Sequence, residues 1–234
     1  MIIQANSKFV NSIRKSQQLD DPHAIYVENK ESSHLLIMFG YRYGKFTSPR
    51  TADNLKVNAL YFRCNYGTYY LEPYAHGATP KEVAENINKF VEERPHIKTI
   101  TVTGSSAGGF AALLYSPWLK YDKIVAYVPQ TIFPHFSGRP VITPMHDNVM
   151  CSDEFLEYVD IVEVWKKYGM PKNKIILRAP ARYIESEYHR DLEEAQRLTF
   201  CPAVELIVHD AEGHKGLDPI LNDSIHEYEQ SLLV

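Results

Sequence analysis

The sequence predicts a single α/β domain in which a mostly parallel, doubly wound central sheet carries helices on both faces. Two patterns lead there: short apolar runs alternate with helical patterns, and within those runs apolar residues stand at successive positions, as strands buried on both faces require. Length agrees, because 234 residues can bury a full core in one domain spanning 1–234.

The strand runs are 34–39 (HLLIMF), 57–63, 98–103, 123–128, 174–177 and 203–208, each bounded by turn residues and several rich in β-branched side chains. Thr79-Pro80 opens a helix over 81–93, with Val83, Ile87, Phe90 and Val91 at helical spacing and Pro95 beyond its end. Further helices are expected over 107–115, over 153–168 ending before Gly169, and over 191–198, where Asp191 with Glu194 three residues on has the form of a helix cap. The stretch 131–152 is rich in Pro, His and Met and lacks periodicity. With the helix that follows, 131–170 is expected to form a small cap or loop insertion over the carboxyl ends of the strands. In open α/β sheets that edge binds ligands.

Composition excludes several classes. Twenty-five Lys+Arg against 29 Asp+Glu give a net charge of −4 without any like-charge block, so no nucleic-acid footprint is expected. No apolar run approaches membrane-spanning length, and residues 1–15 lack the apolar core of a signal peptide. Cys64, Cys151 and Cys201 are odd in number and widely spaced, which suits a reducing compartment. A cytoplasmic protein is the expectation. The sequence carries no signal for an oligomeric state.

The chemistry is concentrated at Gly104-Ser105-Ser106-Ala107-Gly108. This is G-x-S-x-G between a strand and a helix, the setting in which a sharp turn presents a nucleophilic serine. The glycines let strand and helix approach, Ser106 takes the strained position, and the N–H of Ala107, at the positive helix end, can face a developing oxyanion. A phosphate-cradling turn is the rival reading, but no Gly-Lys-Ser/Thr follows. A serine nucleophile on such a turn is followed by its acid and then its histidine. His214 stands after the last strand run among small residues and is the candidate base; His209 is the alternative. The acid is expected after the run 174–177. Asp191 and Glu187 lead, with Glu185 and Asp210 behind, and a helix cap would also explain Asp191. The N–H of Tyr41, in the Gly40-Tyr41-Arg42 turn after the first strand run, is the candidate second oxyanion donor. Arg42, Tyr66, Tyr69 and Gln130 are candidate substrate-binding residues, with Tyr70 and Phe133 as further pocket walls; together they would suit a sugar or aromatic ester.

On the elbow, the segment Tyr61-Phe62-Arg63-Cys64-Asn65-Tyr66-Gly67-Thr68-Tyr69-Tyr70 and Val128-Pro129-Gln130-Thr131, the chain resembles the α/β-hydrolase superfamily from about residue 32 onward. Within it, the chain looks most like a loosely characterised bacterial hydrolase-like group associated with cell-surface polysaccharide biosynthesis. That group usually carries an Asp after Phe-x-Arg and an Asp-x-x-His before the final histidine; here Cys64 and Asp191-Leu192-Glu193-Glu194 stand in those places. The resemblance favours Asp191 as the acid. It implies a serine hydrolase of the esterase type that cleaves a small-molecule or saccharide carboxylic ester without metal or organic cofactor. Acyl transfer by the same triad and a non-catalytic role in polysaccharide biosynthesis are the alternatives.

Overall fold

The computed structural model describes residues 2–12, 23–40, 46, 48, 50–64, 70–71, 77–133, 153–184, 190–217 and 225–233. Its strands are β1 (Ile2–Ala5), β2 (Ala24–Val27), β3 (His34–Phe39), β4 (Asn58–Phe62), β5 (Thr99–Ser105), β6 (Lys123–Tyr127), β7 (Lys174–Arg182) and β8 (Val204–Glu212). The described strands form one eight-stranded sheet in the order β1-β2-β4-β3-β5-β6-β7-β8. From β4 to β8 every neighbouring pair is parallel. Only β2 against β4 is antiparallel, so β2 and its parallel neighbour β1 run opposite to the rest. These two strands lie before the first predicted run; four-residue segments carry too little periodicity to announce themselves.

The helices are α1 (Ser7–Ser12), α2 (Thr51–Leu55), α3 (Pro80–Glu92), α4 (Ala107–Tyr115), α5 (Asp153–Leu156), α6 (Ile161–Tyr168), α7 (Asp191–Gln196), α8 (Gly213–Leu217) and α9 (Ile225–Leu233). None of them is long and apolar enough to cross a membrane. They cover both faces of the sheet, and β3 shows how. Leu35, Ile37 and Phe39 join a core with Val83, Ile87, Phe110, Leu113 and Trp165, whereas Leu36 and Met38 face Val10, Ala52, Leu217 and Leu232 on the other side. Each fully buried side chain of this kind contributes about 1.5–3 kcal/mol, which is why continuous apolar runs select a sheet sandwiched between helices.

The helix caps follow local chemistry. Thr79 accepts the Glu82 N–H at 3.2 Å, and the Glu82 carboxylate accepts the Ala78 N–H at 2.7 Å, with Pro80 opening α3. Where the sequence predicts one helix over 153–168, the chain forms two. Asp160 breaks the run: its backbone is extended (φ −127°, ψ 114°), it bridges Ile132, and its carboxylate caps α6 by accepting the Val162 N–H at 2.9 Å. Val164 and Trp165 of α6 are fully buried, and the indole N–H of Trp165 donates to Ser116 Oγ at 3.0 Å, so α6 is a crossover helix packed on α4. Of the expected insertion 131–170, residues 134–152 lie outside the described residues.

Candidate active site

The turn after β5 is shaped by steric limits. Ser106 has φ 55° and ψ −118°, a conformation that side-chain-bearing residues avoid and that persists only where the surroundings enforce it. A Cβ on Gly104 would lie 2.3 Å from the carbonyl carbon and oxygen of Gly108, and one on Gly108 would lie 2.2 Å from the Phe39 carbonyl oxygen. β5, the start of α4 and the end of β3 therefore meet backbone to backbone. The Ser106 N–H donates to the Tyr127 carbonyl at 3.0 Å, and its own carbonyl accepts the Phe110 N–H at 3.0 Å. Its side chain makes no capping bond to α4. The hydroxyl is therefore not committed to the helix end, and the Ala107 N–H, first in α4, has no acceptor within its helix.

The exit of β3 beside this turn is fixed on both sides of Gly40. Its N–H donates to the Phe62 carbonyl at 2.9 Å, and its carbonyl accepts the Tyr70 hydroxyl at 3.0 Å. Tyr70 in turn receives the Tyr115 hydroxyl on its carbonyl at 3.2 Å. Burial pushes the Tyr115 phenol well above its ordinary pKa, so it remains a donor. Tyr70 and Phe133, expected as pocket walls, are instead core residues, 2% and 1% exposed.

The second assembly lies past the carboxyl ends of β7 and β8, two and three strands along the sheet from β5. The sequence places His214 in a loop after a strand ending at 208, but β8 runs on to Glu212, and His214 is the second residue of α8 behind Gly213 at φ 71°. α8 packs back over β7. Asp191, the first residue of α7 in the β7–β8 crossover, meets the histidine there. His214 Nδ1 donates to Asp191 Oδ1 at 2.8 Å, with the two side chains 8% and 3% exposed. A carboxylate can only accept here, so the contact places a ring proton on Nδ1 and orients the imidazole. The cap reading of Asp191 fails: Arg190 holds the cap position and makes no side-chain capping bond.

The other candidates separate cleanly. His209 accepts Arg178 Nη1 on Nε2 at 3.1 Å, which occupies the lone pair a base would use. Asp210 is exposed and paired with Arg182 at 2.6 Å. Gln130, just past β6, is 4% exposed, and its Oε1 has no hydrogen-bond partner among the described residues, an arrangement that suits a group awaiting a ligand. Tyr41, Arg42, Tyr66, Tyr69, Glu185 and Glu187 lie outside the described residues. Sequence reasoning passed over Glu194, Thr131 and Arg197, which are bonded to one another beside this site. The only signal was the Asp-x-x-Glu spacing, read as a cap. Two clefts of about 440 and 400 Å³ lie at the amino ends of β6 and β7 and of β4, away from all of these residues.

A whole-chain comparison decides the architecture. The capsule O-acetyltransferase of Neisseria meningitidis serogroup A superposes with a TM-score of 0.66 at 16% identity, over 94% of this chain and 99% of that one. A histidine-to-alanine mutant of that protein in complex with CoA gives 0.63 at 16% identity, over 95% and 99%. The fluorophosphonate-binding serine hydrolase F of Staphylococcus aureus matches at 0.55 and 12% identity, over 94% and 89%. Pyrococcus horikoshii acylaminoacyl peptidase matches at 0.58 and 11%, over 88% of this chain and 38% of that one. The chain has the α/β-hydrolase fold. No protein-family model and no curated protein matches the sequence. Ser106 stands on the strand–turn–helix between β5 and α4 of this fold.

Proposed function

We propose that the chain is a serine enzyme that takes an acyl group from a carboxylic ester onto Ser106 and passes it to water. The observation that carries this reading is the buried 2.8 Å contact between His214 Nδ1 and Asp191, which follows the serine turn in the chain order nucleophile, acid, histidine. The Ser106 hydroxyl attacks the ester carbonyl while His214 Nε2 takes its proton; Asp191 stabilises the imidazolium. The Ala107 N–H, with that of Tyr41, holds the oxyanion, a contribution of roughly 10²–10³ in rate per donor. As the tetrahedral intermediate collapses, the leaving alcohol takes the proton from His214. Water then gives a proton to His214 and attacks the acyl-enzyme, and the acid leaves as Ser106 regains its proton. Arg42, Tyr66, Tyr69 and Gln130 are the proposed substrate contacts, for a small-molecule or saccharide ester in the cytoplasm.

Acyl transfer is the second reading. The near end-to-end match to a capsule O-acetyltransferase, and that protein's complex with CoA, favour it. The two differ only in what deacylates Ser106. Turnover of p-nitrophenyl acetate, measured by free acetate with and without oligosaccharide, tests both. Release of acetate that disappears in Ser106→Ala supports the hydrolase. Diversion of the acetyl group onto sugar hydroxyls, with acetyl-CoA accepted as donor, supports transfer. No turnover of any acyl donor by folded protein overturns both.

A further inference from the structure

α7 carries Asp191, yet little within α7 holds it in place. It has six residues and no side-chain N-cap, too short to persist on its own, and its first carboxylate is already engaged with His214. Three residues on and one turn along the same face, Glu194 is equally buried, 3% exposed. Its Oε2 accepts the Thr131 N–H at 2.8 Å, the Thr131 hydroxyl at 2.6 Å and the Ile132 N–H at 3.2 Å. The Thr131 hydroxyl also accepts Arg197 Nη1 at 3.0 Å, and Arg197 Nη2 reaches Asp160 at 2.7 Å.

The far end of this chain of bonds is the flank of the serine turn. Thr131 and Ile132 leave β6 directly after Gln130. The same exit receives the Ser106 N–H on Tyr127, holds Val128 at φ 40° and sets Pro129 against Gly109. We propose that Glu194 is a positioning residue that ties the acid-bearing helix to the flank of the nucleophile turn, so that the Asp191–His214 pair is held in register with Ser106. The proposal rests on the serine-enzyme reading. A buried carboxylate with three donors is demanding to replace: truncating it leaves two backbone N–H groups unsatisfied at the exit of β6 and loosens the turn that aims Asp191.

The test combines steady-state kinetics on p-nitrophenyl acetate with proton NMR of the deshielded His214 Nδ1–H in Glu194→Ala, Glu194→Gln and Thr131→Val. Glu194→Ala should lower kcat about 10- to 100-fold at little-changed KM and broaden or erase the His214 signal. Glu194→Gln, whose amide oxygen still accepts, should restore the signal and most of kcat, and Thr131→Val should fall between. If Glu194→Ala does not fold, Thr131→Val against wild type carries the test. A purely structural role would lower thermal stability while leaving the His214 signal and kcat intact in the folded variants, and that result overturns the proposal. Because the NMR readout needs no substrate, failure of the serine-enzyme reading would show separately, as turnover that survives Ser106→Ala.

Discussion

Around Ser106 all nine residues of α4 are buried, and the turn is enforced by backbone approaches that a single Cβ would block. Asp191 and His214 sit instead on helices of six and five residues, beside β8, an edge strand with no buried residue. One half of the site is held by steric exclusion inside the core. The other is held by a few directed polar bonds at the sheet's edge. Steric fixation is local and tolerates surface change; polar fixation depends on individual groups and reaches across the chain. The two halves should therefore fail in different ways.

Ser106→Ala should give the largest effect, a loss of roughly 10⁴-fold or more in kcat with the thermal midpoint unchanged, measured by turnover and calorimetry side by side. Gly108→Ala should break the same half through stability. Its Cβ would lie 2.2 Å from the Phe39 carbonyl oxygen, and overpacking of that kind costs about 3 kcal/mol or more, a drop of roughly 6–12 °C in thermal midpoint. In the polar half, Asp191→Asn should keep the fold and lower kcat by about 10³–10⁴, because the amide favours the wrong tautomer of His214.

Smaller effects sharpen the contrast. His34, at the amino end of β3, is held below its ordinary pKa by burial, helped by the Lys123 charge and opposed by Asp122. The folded state therefore favours the neutral ring. Its contribution is complete above about pH 6.5, where the unfolded ring is also neutral, and is lost as pH falls through the lowered folded value. His34→Gln should flatten that acid slope in urea midpoints measured from pH 7 to pH 5 without moving the pH profile of kcat. Last, Asp210→Asn removes an exposed ion pair and should change stability by no more than about 0.5 kcal/mol and leave turnover unaltered.

Legibility in the sequence follows the same division. The apolar stretches of β3 to β8 and the serine turn announce themselves, because apolar runs mark the strands and because strand, glycine turn and helix are contiguous at the turn, where local sterics carry the signal. The half that holds Asp191 and His214 is assembled across the chain, and there the local spacing misleads. Asp191 with Glu194 has the spacing of a helix cap, yet both carboxylates turn inward, one to His214 and one to Thr131. β8 continues to Glu212 although its polar alternation reads as a loop, because pairing with an extended β7 supplies what burial does not. Asp160 splits one expected helix in two through a tertiary bridge to Ile132. Tyr70 has the composition of a pocket wall, but its hydroxyl is engaged on Gly40.

The most direct test of Ser106 as a nucleophile activated by His214 and Asp191 is intact-mass spectrometry after a fluorophosphonate probe, followed over time on the wild type, Ser106→Ala and Asp191→Asn. A single adduct on the peptide that contains Ser106, absent from Ser106→Ala and formed more slowly in Asp191→Asn, is the predicted result. A folded wild-type protein that takes up no label, or an adduct that persists in Ser106→Ala, would contradict the account.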